Sequence, residues 1–142
     1  MSGTDRKTRG RAAAAMLWAA LALPAKAGPT APAFADRSGG LPAPHVYGGG
    51  WEHFVGGGVA VLDCNGDARP DLFAAGGAAP ARLFVNVTDA PGAPIAFAEG
   101  APPRLTGVTG AYPLDIDGDG HLDLAVLRVG PNVLLRGDGA CG

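Results

Sequence analysis

Asp63-Cys64-Asn65-Gly66-Asp67-Ala68-Arg69-Pro70-Asp71 returns 52 residues later as Asp115-Ile116-Asp117-Gly118-Asp119-Gly120-His121-Leu122-Asp123, and both stretches have the form D-x-[DN]-G-D-x-x-x-D. The match extends past the acids. Gly58 and Gly110 stand five residues before the first Asp, Leu62 and Leu114 one before it, and Leu72 and Leu124 directly after the last. Leu83-Phe84-Val85-Asn86 aligns with Val133-Leu134-Leu135-Arg136 if two residues are dropped from the second copy. A fixed period with matched apolar positions is an internal repeat, and it governs how every single residue is read.

The acidic stretches have a definite chemistry. Oxygen side chains at positions 1, 3 and 5 of a tight loop converge when Gly or Asn allows the backbone to take positive φ. A hard divalent cation is the expected occupant. Ca2+ accepts six to eight oxygens in flexible geometry, whereas Mg2+ demands a strict octahedron and Zn2+ prefers His or Cys. Positions 1, 3 and 5 are Asp63, Asn65 and Asp67 in the first loop and Asp115, Asp117 and Asp119 in the second, and three or four Asp or Asn side chains, the backbone carbonyls of Arg69 and His121 near position 7, and water suffice for Ca2+. Turn chemistry alone accounts for Asn-Gly and Asp-Gly. Two matched clusters of carboxylates, however, repel within themselves unless a cation neutralises them. The first loop carries −3 and the second −4, so charge alone predicts tighter Ca2+ binding at the second.

An EF-hand requires a bidentate Glu at position 12, but Ala74 and Val126 stand there, and the flanks alternate like strands. Each loop is therefore expected to join the strands of an antiparallel hairpin. Composition agrees with an all-β chain. With 24 Gly and 13 Pro among 142 residues, few windows are free of helix breakers, yet 47% hydrophobic residues and only 17% charged ones argue against a disordered polar chain.

Residues 1–27 read as an export signal, with Arg6, Lys7, Arg9 and Arg11, an apolar run from Ala12 to Pro24, and Ala25-Lys26-Ala27 as the cleavage pattern. The apolar run is shorter than the roughly 20 residues of a membrane-spanning helix. A Gly/Pro/Ala-rich linker follows over 28–44. The formal charge of the whole chain is −2. Removing the signal takes five of the 11 basic residues and one acid, leaving six Arg, 12 acids and a net of −6. That balance offers no footprint for nucleic acid or an anionic membrane surface. Seven of the 12 acids lie in the two loops, so the acidity is local.

The run Gly56-Gly57-Gly58-Val59-Ala60-Val61-Leu62-Asp63 through Leu72-Phe73, with Asp115 to Leu124, resembles the FG-GAP or VCBS repeat of integrin-α-like β-propellers. With Trp51-Glu52-His53-Phe54 in front, the likeness is closest to the cartilage acidic protein (ASPIC/UnbV-type) family. The resemblance implies Ca2+ coordinated by Asp63, Asn65, Asp67 and Asp71 in the first loop and by Asp115, Asp117, Asp119 and Asp123 in the second, and a fold of four-stranded antiparallel blades. Blade one, within a first repeat over 45–104 that includes a lead-in strand, is expected to have strands near 57–62, 71–75, 81–86 and 94–99. A truncated second repeat over 105–142 shows three strands. Two blades do not close a ring, so the expected partners are further blades of a longer chain and a protein or glycan ligand.

The implied function is an exported Ca2+-binding interaction module, periplasmic or secreted and not an enzyme. The alternative is an accessory propeller of an exported enzyme acting on polysaccharide or another extracellular substrate. Within a propeller, the loops carrying Cys64 and Cys141 fall on one face, and a disulfide is chemically permitted in an exported chain. Free thiols, or pairing of Cys141 elsewhere, are the alternatives. Departures from the family pattern are Ala68, where Gly is usual, and Pro113 inside a strand.

Other features carry less. Trp51, His53 and Phe54, beside Gly48 to Gly50 and Gly56 to Gly58, are read as core packing or as aromatic cover for glycine in preference to the lining of a ligand groove. Arg136-Gly137-Asp138 falls where a hairpin turn is needed and is read as such. Asn86-Val87-Thr88 is a glycosylation sequon. Ser38 is the only Ser after residue 27, and Glu52 and Glu99 are the only Glu residues, so no nucleophile-base pair can be drawn.

Overall fold

The computed structural model describes residues 31–141; the proposed signal, residues 1–27, lies outside them. The chain divides into two units, Met1–Phe34 and Ala35–Gly142. Residues 31–34, the described part of the first, are exposed and have no regular secondary structure.

The second unit is built from two antiparallel sheets. The first has β1 (Val59–Leu62), β2 (Asp71–Ala74), β3 (Arg82–Asn86) and β4 (Phe97–Glu99) in the order β1-β2-β3-β4, and the second has β5 (Val108–Leu114), β6 (Asp123–Arg128) and β7 (Val133–Leu135) in the order β5-β6-β7. These are the two blade-like repeats expected from the sequence, with four and three strands. Each acidic stretch is the connection of the first hairpin of its sheet, between β1 and β2 and between β5 and β6. In place of a lead-in strand the segment before β1 has an isolated parallel bridge, Gly48 to Gly77, and a 3-10 turn over Trp51–His53, and His45 Nε2 lies 2.8 Å from the Ala75 carbonyl oxygen.

Alternation along the strands explains how the sheets meet. Ala60, Leu62, Phe73 and Leu83 point from one face of the first sheet, and Leu124 and Val126 point from the second, making one shared core with Val108. Val133 and Leu135 pack against it. Period-2 side chains leave the opposite faces outward, which is why Val59 and Val61 on β1 and Tyr112 and Leu134 on the second sheet are exposed.

The first strands of the two sheets touch where the repeat places equivalent glycines. A bulge between Val108 and Gly110 turns out the Thr109 carbonyl, which accepts the N–H groups of Gly57 and Gly58 at 3.1 and 3.2 Å. A Cβ on Gly58 would lie 3.2 Å from the Gly110 Cα, so a side chain here would need the facing backbone to give by a few tenths of an ångström. Pro113 is accommodated because β5 is an edge strand of its sheet.

Two expectations change. Pairing sets Leu72 opposite Phe84 and Leu124 opposite Leu135, so Phe84 corresponds to Leu135 and the second copy is shorter by one residue, not two. The partner of Arg136 in the first repeat is accordingly Val85. Trp51 and Phe54 are not core, being 89% and 88% exposed, while His53 is buried. The aromatic that covers the glycines is Tyr47, whose ring lies against Gly57 and whose hydroxyl donates to the His53 carbonyl at 2.7 Å.

Cys64 and Cys141 are joined by a disulfide across 77 residues of sequence. It ties loop one of the first sheet to the segment after β7, and on the chain-entropy model a closure of this length contributes roughly 4–5 kcal/mol.

Phe73, 1% exposed at the centre of the shared core, is the side chain whose loss should matter most. Phe73→Ala is expected to cost about 3–5 kcal/mol, and Val61→Ala, at a site 55% exposed, less than about 0.5 kcal/mol. Urea unfolding of the oxidised chain measures both, and equal losses would contradict the assignment of the two faces.

Candidate functional site

The two acidic loops share one hydrogen-bond plan. The position-1 carboxylate receives N–H groups from across its own loop: Gly66 donates to Asp63 Oδ1 at 2.8 Å and Ala68 to Asp63 Oδ2 at 2.8 Å, as Gly118 donates to Asp115 Oδ1 at 2.7 Å and Gly120 to Asp115 Oδ2 at 3.1 Å. Position 3 accepts from position 5, Asp67 N–H to Asn65 Oδ1 and Asp119 N–H to Asp117 Oδ1, both at 3.2 Å. Position 5 accepts from position 7, Arg69 N–H to Asp67 Oδ1 at 2.8 Å and His121 N–H to Asp119 Oδ1 at 2.9 Å.

Such wrapping needs positive φ in the turn, and Gly66 and Gly118 supply it at 73° and 77°. Further along, Gly120 has φ 87° while Ala68 holds the matching position at φ 62°. Loop one therefore keeps the geometry of loop two despite its Ala, with the cost of a left-handed L-residue stored locally.

The position-9 residues are placed differently. Asp71 and Asp123 begin β2 and β6 and are buried. Asp71 Oδ2 accepts the Cys64 N–H at 2.9 Å and its Oδ1 the Asn86 N–H at 2.7 Å. Asp123 repeats this with Ile116 at 2.9 Å and Gly137 at 2.8 Å. Each carboxylate thus links the loop that precedes it to the end of the third strand. The Gly137 and Ile116 N–H bonds outweigh burial and hold Asp123 below the usual carboxylate range. The Cys64 sulfur also lies 2.9 Å from Asp71 Oδ2; being a disulfide sulfur it has no proton to donate.

In loop two, Asp115, Asp117 and Asp119 bring carboxylate oxygens within 4.8 Å of one another. Asp119 is held low first by the His121 N–H and then by Arg136. Arg136 is a residue that sequence reasoning assigned to a turn. Its Nε donates to Asp117 Oδ2 and its Nη2 to Asp119 Oδ2, both at 2.8 Å, and these carboxylates push its basicity higher still. Loop one has a weaker equivalent, Arg69 Nη1 at 3.2 Å from Asp67 Oδ2, and Asp67 is held low chiefly by the Arg69 N–H. A donor set made only of oxygens, with a guanidinium seated between two of the carboxylates, fits a hard cation. Cys64, Asp71 and Cys141 also cluster, but with both sulfurs in the disulfide no thiolate is available there.

Gly137 and Asp138 complete the Arg-Gly-Asp tripeptide, and its Arg and Gly are engaged at the acidic loop and at Asp123. Among the described residues no helix is long and apolar enough to cross a membrane.

Residues 63–126, from the first residue of loop one into β6, match the family model described as FG-GAP-like repeat. No curated protein and no solved structure matches the chain.

Asp67, Asp119 and Asp123 sit below the ordinary carboxylate value of about 4. Each therefore contributes stability that is complete above that value and is lost as pH falls through the lower folded-state value. In chelator, the melting temperature should be level from pH 7 to about 5 and fall below about 4; a melting temperature that rises between pH 5 and 3 would refute this. Ala68→Gly removes the left-handed strain at some cost in chain entropy, for a net gain of about 0.5–1 kcal/mol. A loss of stability in urea would show that Ala68 is held by something other than loop geometry.

Proposed function

We propose that the chain is an exported β-propeller repeat module whose two acidic loops bind Ca2+ in a structural role, and whose surface serves interaction with a protein or glycan. The observation that carries the proposal is the identity of the two loops, which repeat the same side-chain-to-backbone hydrogen bonds around oxygen donors. In loop one Asp63, Asn65 and Asp67, and in loop two Asp115, Asp117 and Asp119, supply the side-chain oxygens; the carbonyls of Arg69 and His121 add a ligand each. Asp71 and Asp123 close the base of each site while accepting backbone N–H groups. Bound Ca2+ supplies charge neutralisation of the loop.

The disulfide supports an oxidising compartment, and the FG-GAP-like match supports the propeller reading. Further blades of the same kind are the proposed neighbours. One sheet face already packs in this way: the first sheet presents Phe73 and Leu83 to Leu124 and Val126 of the second, and repeating that packing would cover the face that exposes Tyr112 and Leu134. The likeness to the cartilage acidic protein family rests on Trp51-Glu52-His53-Phe54 and on the loops.

A ligand that binds only the folded state raises its melting temperature, by about 2.7 kcal/mol of stability at 100 times the dissociation constant, or roughly 10 °C in a domain of this size. Melting in millimolar Ca2+ against chelator should show this shift, with a smaller one in Asp63→Asn or Asp115→Asn. Superimposable curves would overturn the proposal.

A further inference from the structure

The two loops share a backbone plan but differ in what faces their outward oxygens. In loop one Asp67 Oδ2 meets Asn65 Nδ2 at 3.3 Å and Arg69 Nη1 at 3.2 Å, both from within the loop. In loop two the outward oxygens of Asp117 and Asp119 both meet Arg136, which comes from the end of β7, 19 and 17 residues away in sequence. A planar guanidinium that spans two carboxylates with two 2.8 Å charge-assisted bonds matches the site in position and in charge.

The register of the sheets shows that this placement belongs to the second repeat alone. Asp71 receives the N–H of Asn86 and Asp123 that of Gly137, so Arg136 stands where the first repeat has Val85, an apolar side chain packed on the shared core. Nothing in loop one can play the same part through that position.

We infer that Arg136 is a tethered cation that occupies the second acidic loop, competes there with a metal ion, and makes loop two the weaker Ca2+ site although it carries the larger negative charge. A metal ion drawing on Asp117 Oδ2 and Asp119 Oδ2 must displace the guanidinium, which is 71% exposed and free to swing into solvent. Loop two would stay ordered in the absence of metal, and loop one would respond to lower Ca2+. The inference rests on the Ca2+ reading of the loops.

Calorimetric titration with Ca2+ of the full oxidised chain, with loop one silenced by Asp63→Asn and Asp67→Asn, isolates the second site. Adding Arg136→Gln should tighten Ca2+ binding roughly ten-fold, the scale of one or two exposed ion pairs, and Arg136→Lys should fall between the two. Unchanged or weaker binding in Arg136→Gln overturns the inference and leaves the Ca2+ reading standing, whereas no heat in any of these chains, and none in the unsubstituted one, overturns both. In the unsubstituted chain the 15Nε–H resonance of Arg136 should shift as Ca2+ fills loop two. A resonance that stays fixed while the loop-two amides move would equally refute competition.

Discussion

A carboxylate removed from water is expensive unless it is fully hydrogen-bonded, and in each repeat one such group fixes everything around it. Asp71 opens β2 and Asp123 opens β6, each with one oxygen on an N–H of the loop before it and the other on an N–H at the end of the third strand. The first contact sets where the loop leaves its strand, and the second sets the register of β3 on β2 and of β7 on β6. A slip of one residue would turn the core-facing side chains to solvent and strand a buried charge. The loop geometry and the shared core of Phe73, Leu83, Leu124 and Val126 therefore depend on the same pair of aspartates.

That dependence explains what was legible in the sequence. The first hairpins were, because D-x-[DN]-G-D is a turn code with its own hydrogen bonds, and the alternating apolar runs beside it left no other way to place strands. β1 to β4 fall inside or within a residue of the expected spans. The glycines at positions 58 and 110 were visible only as a repeat feature; their role in the contact between sheets needed the fold.

What was not legible shares a cause. Val133-Leu134-Leu135 is apolar at every position, so no alternation distinguishes one register from the next, and the alignment of the third strands came out one residue off. The buried aspartate at position 9 looks in sequence like the other acids of its loop; only the tertiary partners Asn86 and Gly137 set it apart. Trp51 and Phe54 were read from their place among glycines, while Tyr47, ahead of those glycines, does the covering. Arg136 was hidden by distance in sequence and by the tripeptide it begins.

The internal closure of each loop has a further consequence. Because backbone N–H groups already satisfy Asp63 and Asp115 and one oxygen each of Asp67, Asp117 and Asp119, the turn holds its shape through the chain's own donors. The oxygens left outward are not needed for folding the turn. Their environment can change from one repeat to the next without loss of the scaffold, and it does: a short internal contact from Asn65 and Arg69 in the first, a guanidinium from another strand in the second. The two repeats thus differ inside the nine-residue motif, at positions 3 and 7 (Asn65 and Arg69 against Asp117 and His121), and outside it at the end of the third strand, where Arg136 reaches the outward oxygens and leaves the buried aspartate untouched.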